Sequence, residues 1–168
     1  PYARDKADLR LSIVVARVTE SGLPLIYLNE VGGQDELIFD GASFALNADL
    51  SVAAQLPAFE ENITTLTWRK TADGWRCSGP STAQLEGDKA DYAACVLGLR
   101  DYVRENGFPG VLLGVSGGID SALCAAIAVD ALGADKVRGR APYAYEHPVD
   151  DPLYLSPVQA EIARGRVT

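Results

Sequence analysis

The chain has 168 residues, of which 48% are hydrophobic and 23% charged, and its formal net charge is −8. This composition is typical of a folded globular protein and excludes a disordered chain. The acidic balance argues against nucleic acid as a partner, and no apolar run approaches the roughly 18 residues that cross a bilayer, which argues against a membrane partner.

The first 70 residues are predicted to combine one helix with several short strands. Apolar residues at helical spacing, including Leu9, Ile13 and Val14, predict a helix over residues 5–21 with a buried face. Residues 31–36 are polar and glycine-rich, so they are expected to form a loop. The predicted strands cover residues 25–28, 37–39, 43–46, 52–56 and 63–68.

The second half begins after a stretch of turn-forming residues, 71–90, which is interpreted as a linker. A clean helical face follows over residues 92–103. Next come a strand at 111–115, a helix at 122–132 and a further strand that starts near 136. Strand, helix and strand in this order predict a parallel crossover unit. No regular strand is expected from 140 to 157, and residues 158–164 could form one or two helical turns.

A glycine-rich loop, Gly-Val-Ser-Gly-Gly-Ile-Asp-Ser at residues 114–121, joins the predicted strand to the helix. Paired glycines let a phosphate approach the backbone, and the N-terminus of the helix offers unpaired N–H donors and partial positive charge. Ser116 and Ser121 add hydroxyls, and Asp120 adds a carboxylate that could hold magnesium. Because no lysine follows the second glycine, this is not a Walker-type loop, but it still predicts a nucleotide phosphate site.

The loop and its flanks resemble a known family. Ser-Gly-Gly-Ile-Asp-Ser is similar to the pyrophosphatase loop of enzymes that adenylate a substrate and release pyrophosphate. Residues 92–133, with Gly-Leu-Arg-Asp-Tyr-Val at 98–103, resemble the synthetase domain of glutamine-dependent NAD synthetases. Residues 27–43, with Val-Gly-Gly-Gln-Asp-Glu-Leu-Ile-Phe-Asp-Gly at 31–41, resemble the amidase domain of the same enzymes, a member of the nitrilase (carbon–nitrogen hydrolase) superfamily.

The resemblance implies an α/β chain with two incomplete domains. Residues 1–70 would form the C-terminal part of a nitrilase-like α-β-β-α sandwich, from a glutamine amidotransferase domain, and residues 71–90 would be a linker. Residues 91–168 would carry the first βα(β) unit of a Rossmann-like PP-loop (adenine nucleotide alpha hydrolase-like) domain that binds ATP, although residues 140–168 do not match the family.

The family's reaction is the ATP-dependent amidation of deamido-NAD to NAD through an adenylated intermediate, with ammonia supplied by glutamine. The resemblance implies ATP and Mg²⁺ as cofactors and small molecules as substrates. It also implies a cytoplasmic ligase of NAD biosynthesis that is a homo-oligomer in its full-length form. Three cysteines without regular spacing fit a reducing compartment.

The resemblance also implies roles for single residues. Lys6 stands where the family has a basic residue that contacts glutamine, although it could equally be a solvated helix lysine. No residue matches the amidase glutamate, lysine and cysteine, so no catalytic residue is predicted. Cys77 lies in the predicted linker, and Cys95 and Cys124 are expected in the core. Asp120 is the expected metal ligand, and the expected ATP contacts are Gly114, Val115, Ser116, Gly117, Gly118, Ile119, Asp120 and Ser121.

These features predict a piece of a longer enzyme, from a truncated or rearranged gene, that folds marginally or aggregates when alone. Two alternatives stay open. The chain could come from another PP-loop ATP-pyrophosphatase amidotransferase, such as GMP or asparagine synthetase. It could also be a catalytically inactive remnant, or an interaction piece of a larger assembly.

Overall fold

The computed structural model describes residues 1–4 and 6–140. The helices of this part are α1 (Lys6–Ser21), α2 (Gly87–Glu105) and α3 (Ile119–Leu132). The strands are β1 (Leu25–Tyr27), β2 (Val31–Gln34), β3 (Leu37–Asp40), β4 (Phe44–Leu46), β5 (Val52–Gln55), β6 (Thr67–Thr71), β7 (Gly74–Ser78), β8 (Val111–Gly114) and β9 (Val137–Arg140). The chain divides into two compact units after Ala94, within the span of α2.

The core of the first unit lies between α1 and an antiparallel sheet with the strand order β1-β4-β5. Side chains alternate between the two faces of a strand, so Phe44 and Leu46 of β4 point to one face and Ala45 to the other. Val14 and Val18, four residues apart on α1, pack against Phe44 and Leu46. On the other face of the sheet, buried Ala45 packs with Ala54 and Cys77.

Two antiparallel hairpins complete the first unit. Strands β2 and β3 pair from Val31–Asp40 to Gln34–Leu37, and the turn between them carries Asp35 at a positive φ of 51°. Strands β6 and β7 pair from Thr67–Ser78 to Thr71–Gly74, with Gly74 at a φ of +114° in the turn.

The second unit contains a parallel pair of strands joined by a helix. Strand β8 leads into α3, a 3-10 turn (Ala134–Lys136) follows, and β9 returns in parallel register with Val111 opposite Val137. Helix α3 buries small side chains at Ala125, Ala126 and Ala128. The crossover unit expected from the sequence is therefore confirmed.

Most of the predicted elements are present, and the errors have physical reasons. Residues 31–36 were expected to be a loop, but β2 occupies most of this stretch because each of its residues has a partner in β3. Ile63 was expected in a strand and is instead fully exposed, and the strand starts later, at Thr67. The expected linker contains β7, and α2 begins at Gly87, before the predicted start. On α1, Leu9 and Ile13 are exposed, while Val14 and Val18 are buried.

Some expectations lie outside the described residues. They are the expectation that the first helix includes Asp5 and every expectation for residues 141–168, including the helical turns at 158–164. No regular strand was expected from residue 140 to 157, but the first residue of this stretch, Arg140, is the last residue of β9. Among the described residues, the structure contains no helix with the length and apolar character needed to cross a bilayer.

Candidate functional site

The glycine-rich loop starts where β8 ends. The Val115 backbone N–H donates to the Arg140 carbonyl oxygen at 2.8 Å, so the strand pairing continues one residue into the loop. Gly117 then adopts a φ of +87°, which a residue with a Cβ disfavours, and this turns the chain toward the helix. Gly118 returns to an extended conformation, with φ −84° and ψ 164°, and is the N-cap of α3.

Short hydrogen bonds within the loop hold its shape. The Ser116 and Ser121 hydroxyl oxygens lie 3.2 Å apart. The Gly118 N–H donates to Ser116 Oγ at 3.4 Å, and the Ser121 hydroxyl donates to the Gly118 carbonyl oxygen at 2.9 Å. The first helical bond, from the Ala122 N–H to the Gly118 carbonyl oxygen, measures 3.1 Å. The two serines singled out in the sequence are therefore brought together at the start of α3.

The space beside the loop backbone is open. A Cβ added at Gly114 or Gly117 would meet no atom within 4 Å, and one added at Gly118 would meet only Ser116 Oγ at 3.6 Å. The first N–H groups of α3 have no partner within the helix, because no preceding turn exists to accept them. An exposed backbone with free approach and oriented N–H donors suits a phosphate group.

Asp120 supplies an exposed carboxylate in the first turn of α3. Within the part of the chain that the structure describes, no group of three or more His, Cys, Asp or Glu side chains could hold a metal ion. Mg²⁺ commonly takes only one or two protein carboxylates and completes its shell with phosphate oxygens and water. Asp120 therefore fits a magnesium ion that arrives with a phosphate ligand rather than a pre-formed metal site.

Arg140 lies beside the start of the loop, although no motif marks it in the sequence. It is the register partner of Gly114, the last residue of β8. A basic residue therefore ends the strand next to the one that leads into the loop. The only signal in the sequence was that β8 and β9 have the same length. This places Arg140 beside Gly114 only when the parallel register of the two strands is known.

Lys6, the residue expected to contact glutamine, is the first residue of α1 in the first unit and is half-buried. Its backbone N–H donates to the Ala3 carbonyl oxygen at 3.0 Å. One helical turn later, Arg10 forms two hydrogen bonds of 2.8 Å to the Asp40 carboxylate and a third of 3.0 Å to the Pro1 carbonyl oxygen. The Asp40 hydrogen bond raises the pKa of Arg10.

A second polar cluster ties the N-terminal segment to the first turns of α2. Arg4 forms ion pairs with Asp88, at 2.8 Å, and with Asp91. The Tyr2 hydroxyl donates to Asp91 at 2.7 Å. Burial, reinforced by the hydrogen bond to Asp91, raises the pKa of Tyr2 to about 12. The hydrogen bonds from Arg4 and then Tyr2 lower the pKa of Asp91.

A cavity of about 480 Å³ lies between α1, the loops that follow β3 and β5, and the start of α2. Its walls include Leu11, Phe44 and Phe59, and the Arg10–Asp40 pair also lines it. No sequence pattern predicts this cavity, because it is built from segments that lie far apart in the chain.

The cysteines differ from their predicted settings. Cys77 is buried in β7, and Asn47 binds its backbone through two hydrogen bonds, of 2.8 and 3.3 Å. Burial raises the pKa of the Cys77 thiol, which makes it a poor nucleophile. Cys95 and Cys124 are exposed, so their expected core position is wrong. Both lie on helices whose buried positions are taken instead by neighbouring alanines, such as Ala94 and Ala125.

Comparisons with known proteins agree with one another. The family described as NAD synthase matches residues 91–150. The chain is 57% identical over 138 residues to a glutamine-dependent NAD(+) synthetase from Rhodobacter capsulatus, covering 82% of this chain and 25% of the relative. It is 44% identical to the synthetase of the same name from Acinetobacter baylyi, covering 86% of this chain and 27% of the relative.

A solved structure gives the same result. It is a glutamine-dependent NAD+ synthetase from Acinetobacter baumannii in complex with adenosine diphosphate. The two structures superpose with a TM-score of 0.80 at 38% sequence identity, over 100% of this chain and 31% of the other. The chain thus spans about a quarter to a third of the length of these proteins.

Proposed function

Since this chain belongs to the family of glutamine-dependent NAD(+) synthetases, we propose that residues 114–121 bind the phosphates of ATP for the amidation of deamido-NAD. The observation that carries the proposal is the open loop at the N-terminus of α3, with two serine hydroxyls 3.2 Å apart and an exposed carboxylate in the first turn. The ADP complex of the Acinetobacter baumannii relative supports a nucleotide ligand.

The chemistry explains why such a loop is needed. A carboxylate is a poor acyl donor until one of its oxygens becomes a good leaving group, and transfer of AMP from ATP to that oxygen achieves this. Pyrophosphate leaves, and the negative charge on the departing group must be stabilised. Backbone N–H groups of α3 and the hydroxyls of Ser116 and Ser121 would donate to its oxygens. Mg²⁺, when bound, would neutralise part of this charge, and Asp120 would hold it.

We also propose, from the similarity to this family, which domain each part of the chain belongs to. Residues 1–70 would belong to a nitrilase-like amidase domain and residues 91–168 to a Rossmann-like PP-loop domain, with 71–90 between them. The parallel β8-α3-β9 unit supports the second assignment. In the first domain, Lys6 would contact glutamine, and the Arg10–Asp40 pair would fix the start of the helix that carries it. No catalytic role in glutamine hydrolysis is assigned to any described residue.

Nucleotide binding by point variants tests the proposed role of the loop. We expect Ser116→Ala to weaken ATP binding about fivefold, which corresponds to one lost hydrogen bond of about 1 kcal/mol. Asp120→Asn should weaken binding of ATP with Mg²⁺ about tenfold, and binding of metal-free ATP much less, since the carboxylate acts through the ion. Titration calorimetry with and without Mg²⁺ measures both effects.

Asp135→Asn is the matched control, because it removes the same charge from the 3-10 turn that follows the other end of α3. It should leave ATP binding unchanged. If Asp120→Asn and Asp135→Asn bind ATP with Mg²⁺ equally well, Asp120 is not the metal ligand. If Ser116→Ala also binds normally, the loop is not the phosphate site.

The relatives reported above favour NAD formation over the reactions of GMP or asparagine synthetases. A catalytically inactive role is the second candidate for this chain. The two candidates differ in ATP binding, because a chain that has lost its nucleotide function is not expected to bind ATP through residues 114–121.

A further inference from the structure

Strand β9 places two arginines on one face of the parallel pair. Helix α3 packs against both β8 and β9, and Val137 of β9 is buried. Successive side chains of a strand point to opposite faces, so the residues that alternate with Val137 lie on the face away from α3. The exposed positions of the two strands are Leu112, Gly114, Arg138 and Arg140. Both arginines are therefore on the outer face of the sheet, on the same side as Gly114.

Of the two arginines, Arg140 lies at the edge where the glycine-rich loop begins. It is paired with Gly114, and its carbonyl oxygen accepts the Val115 N–H at 2.8 Å. Arg138 is paired with Leu112, two residues or about 7 Å further from this edge. A Cβ added at Gly114 would meet no atom within 4 Å, so the space over this glycine, next to Arg140, is open.

The loop has no cation of its own. Asp120 is its only charged residue, and the sequence has no lysine or arginine between Arg104 and Lys136. Lys136 directly precedes β9, so it lies at the opposite end of the strand from Arg140. A Walker-type loop supplies a lysine to the phosphates, and this loop lacks one. By strand pairing, Arg140 is the basic residue placed beside the start of the loop.

We propose that Arg140 is a further phosphate-binding residue of this site and supplies the cation that the loop lacks. The proposal rests on the proposed function of residues 114–121. The planar guanidinium suits the role, because it can donate two parallel hydrogen bonds to phosphate oxygens. It would act from the outer face of the sheet, while the N–H groups of α3 act from the start of the helix. As pyrophosphate leaves, a fixed positive charge beside the loop would stabilise the charge that develops on it.

Titration calorimetry of the full chain with ATP and with inorganic pyrophosphate, each with Mg²⁺, tests the proposal. Arg140→Gln should weaken the binding of both ligands about tenfold, since charge-assisted hydrogen bonds to phosphate are lost. Arg140→Lys keeps the charge but not the planar fork, so it should weaken binding about threefold. Arg138→Gln is the matched control, because it removes the same charge from the same face of the same strand. It should change binding less than about twofold.

Denaturant unfolding of the variants separates a contact with the ligand from damage to the fold. Arg140→Gln and Arg138→Gln replace exposed side chains and should unfold at the same denaturant concentration as the unsubstituted chain. If Arg140→Gln nevertheless unfolds more readily, Arg140→Lys decides the test. An Arg140→Lys variant that binds both ligands like the unsubstituted chain would contradict the proposal, because the proposal requires the guanidinium.

Comparison with Ser116→Ala distinguishes failure of this proposal from failure of the proposed function. If Ser116→Ala binds weakly while Arg140→Gln binds as well as Arg138→Gln, the loop is the phosphate site and Arg140 has no part in it. If Ser116→Ala and Arg140→Gln both bind normally, the proposed function of the loop fails, and the role of Arg140 fails with it.

Discussion

At the scale of single residues, the ion pair of Arg10 and Asp40 is expected to stabilise the first unit. Both side chains are about nine-tenths buried, and they are joined by two hydrogen bonds of 2.8 Å. We predict that Arg10→Met costs about 3 kcal/mol in the free energy of unfolding, because the Asp40 carboxylate is left buried without its counter-ion. Denaturant unfolding of the variant measures this loss.

Arg17→Met is the control for Arg10. Arg17 pairs with Glu20 on the exposed face of the same helix, so its loss should cost at most about 0.5 kcal/mol. The double substitution of Arg10→Met with Asp40→Asn should recover part of the loss, because no buried charge remains. Equal effects of Arg10→Met and Arg17→Met would contradict this account.

Asp91 makes the anchoring of the N-terminal segment sensitive to acid. Its pKa is lowered by Arg4 and then by Tyr2, so the ionised form is favoured in the folded state. Such a group stabilises the fold above its unfolded pKa, near 4, and this contribution is lost as the pH falls through the lower folded value. We predict that Asp91→Asn flattens the fall in stability below about pH 4, and that Arg4→Ala does the same. An unchanged pH profile in both variants would show that the cluster contributes nothing.

At the scale of elements, the conformation of Gly117 shapes the phosphate loop. At a φ of +87° an alanine is strained although its Cβ would meet no atom. We expect Gly117→Ala to cost about 1 kcal/mol and to weaken ATP binding about fivefold by moving the loop. Calorimetric titration with ATP measures this effect. Gly74→Ala, also at a positive φ with open space around it, should lose similar stability and keep normal ATP affinity.

Gly110 permits the close approach of the segments that precede β8 and β9. A Cβ at this position would lie 2.2 Å from the Lys136 carbonyl oxygen, a backbone atom that cannot move aside alone. We predict that Gly110→Ala costs about 2 kcal/mol and increases amide exchange in β8 and β9. In Gly107→Ala the added Cβ would meet no atom, so only the cost of its positive φ should appear, about 1 kcal/mol, without increased exchange in the strands.

The secondary-structure elements differ in how well the sequence predicts them. The β4–β5 hairpin and the β8-α3-β9 unit were predictable, because their apolar runs and turn residues are local signals. The β6–β7 hairpin was not, because its exposed strands carry no apolar alternation and its anchor at Asn47 lies 30 residues from Cys77. The serines of the loop were predictable from their spacing. Arg140 was not, because it reaches the loop only through strand pairing.

At the scale of the whole molecule, the similarity to the relatives extends over both compact units of the chain. The family match covers residues 91–150, while the relatives align over more than four-fifths of the chain. Exposed apolar side chains such as Leu28, at 82%, and Leu112, at 71%, lie in or next to strands in both units. Exposed apolar side chains in or beside strands are typical of surfaces that further protein covers.

The central claim is that residues 114–121 bind the phosphates of ATP, and amide hydrogen exchange of the full chain tests it most directly. With saturating ATP and Mg²⁺, we predict slower exchange at the backbone N–H groups of residues 115–121, and a smaller effect in Asp120→Asn. Exchange in the β2–β3 hairpin of the first unit should not change and provides the internal reference. If saturating ATP leaves the exchange of residues 115–121 unchanged in the folded chain, the loop is not its phosphate site.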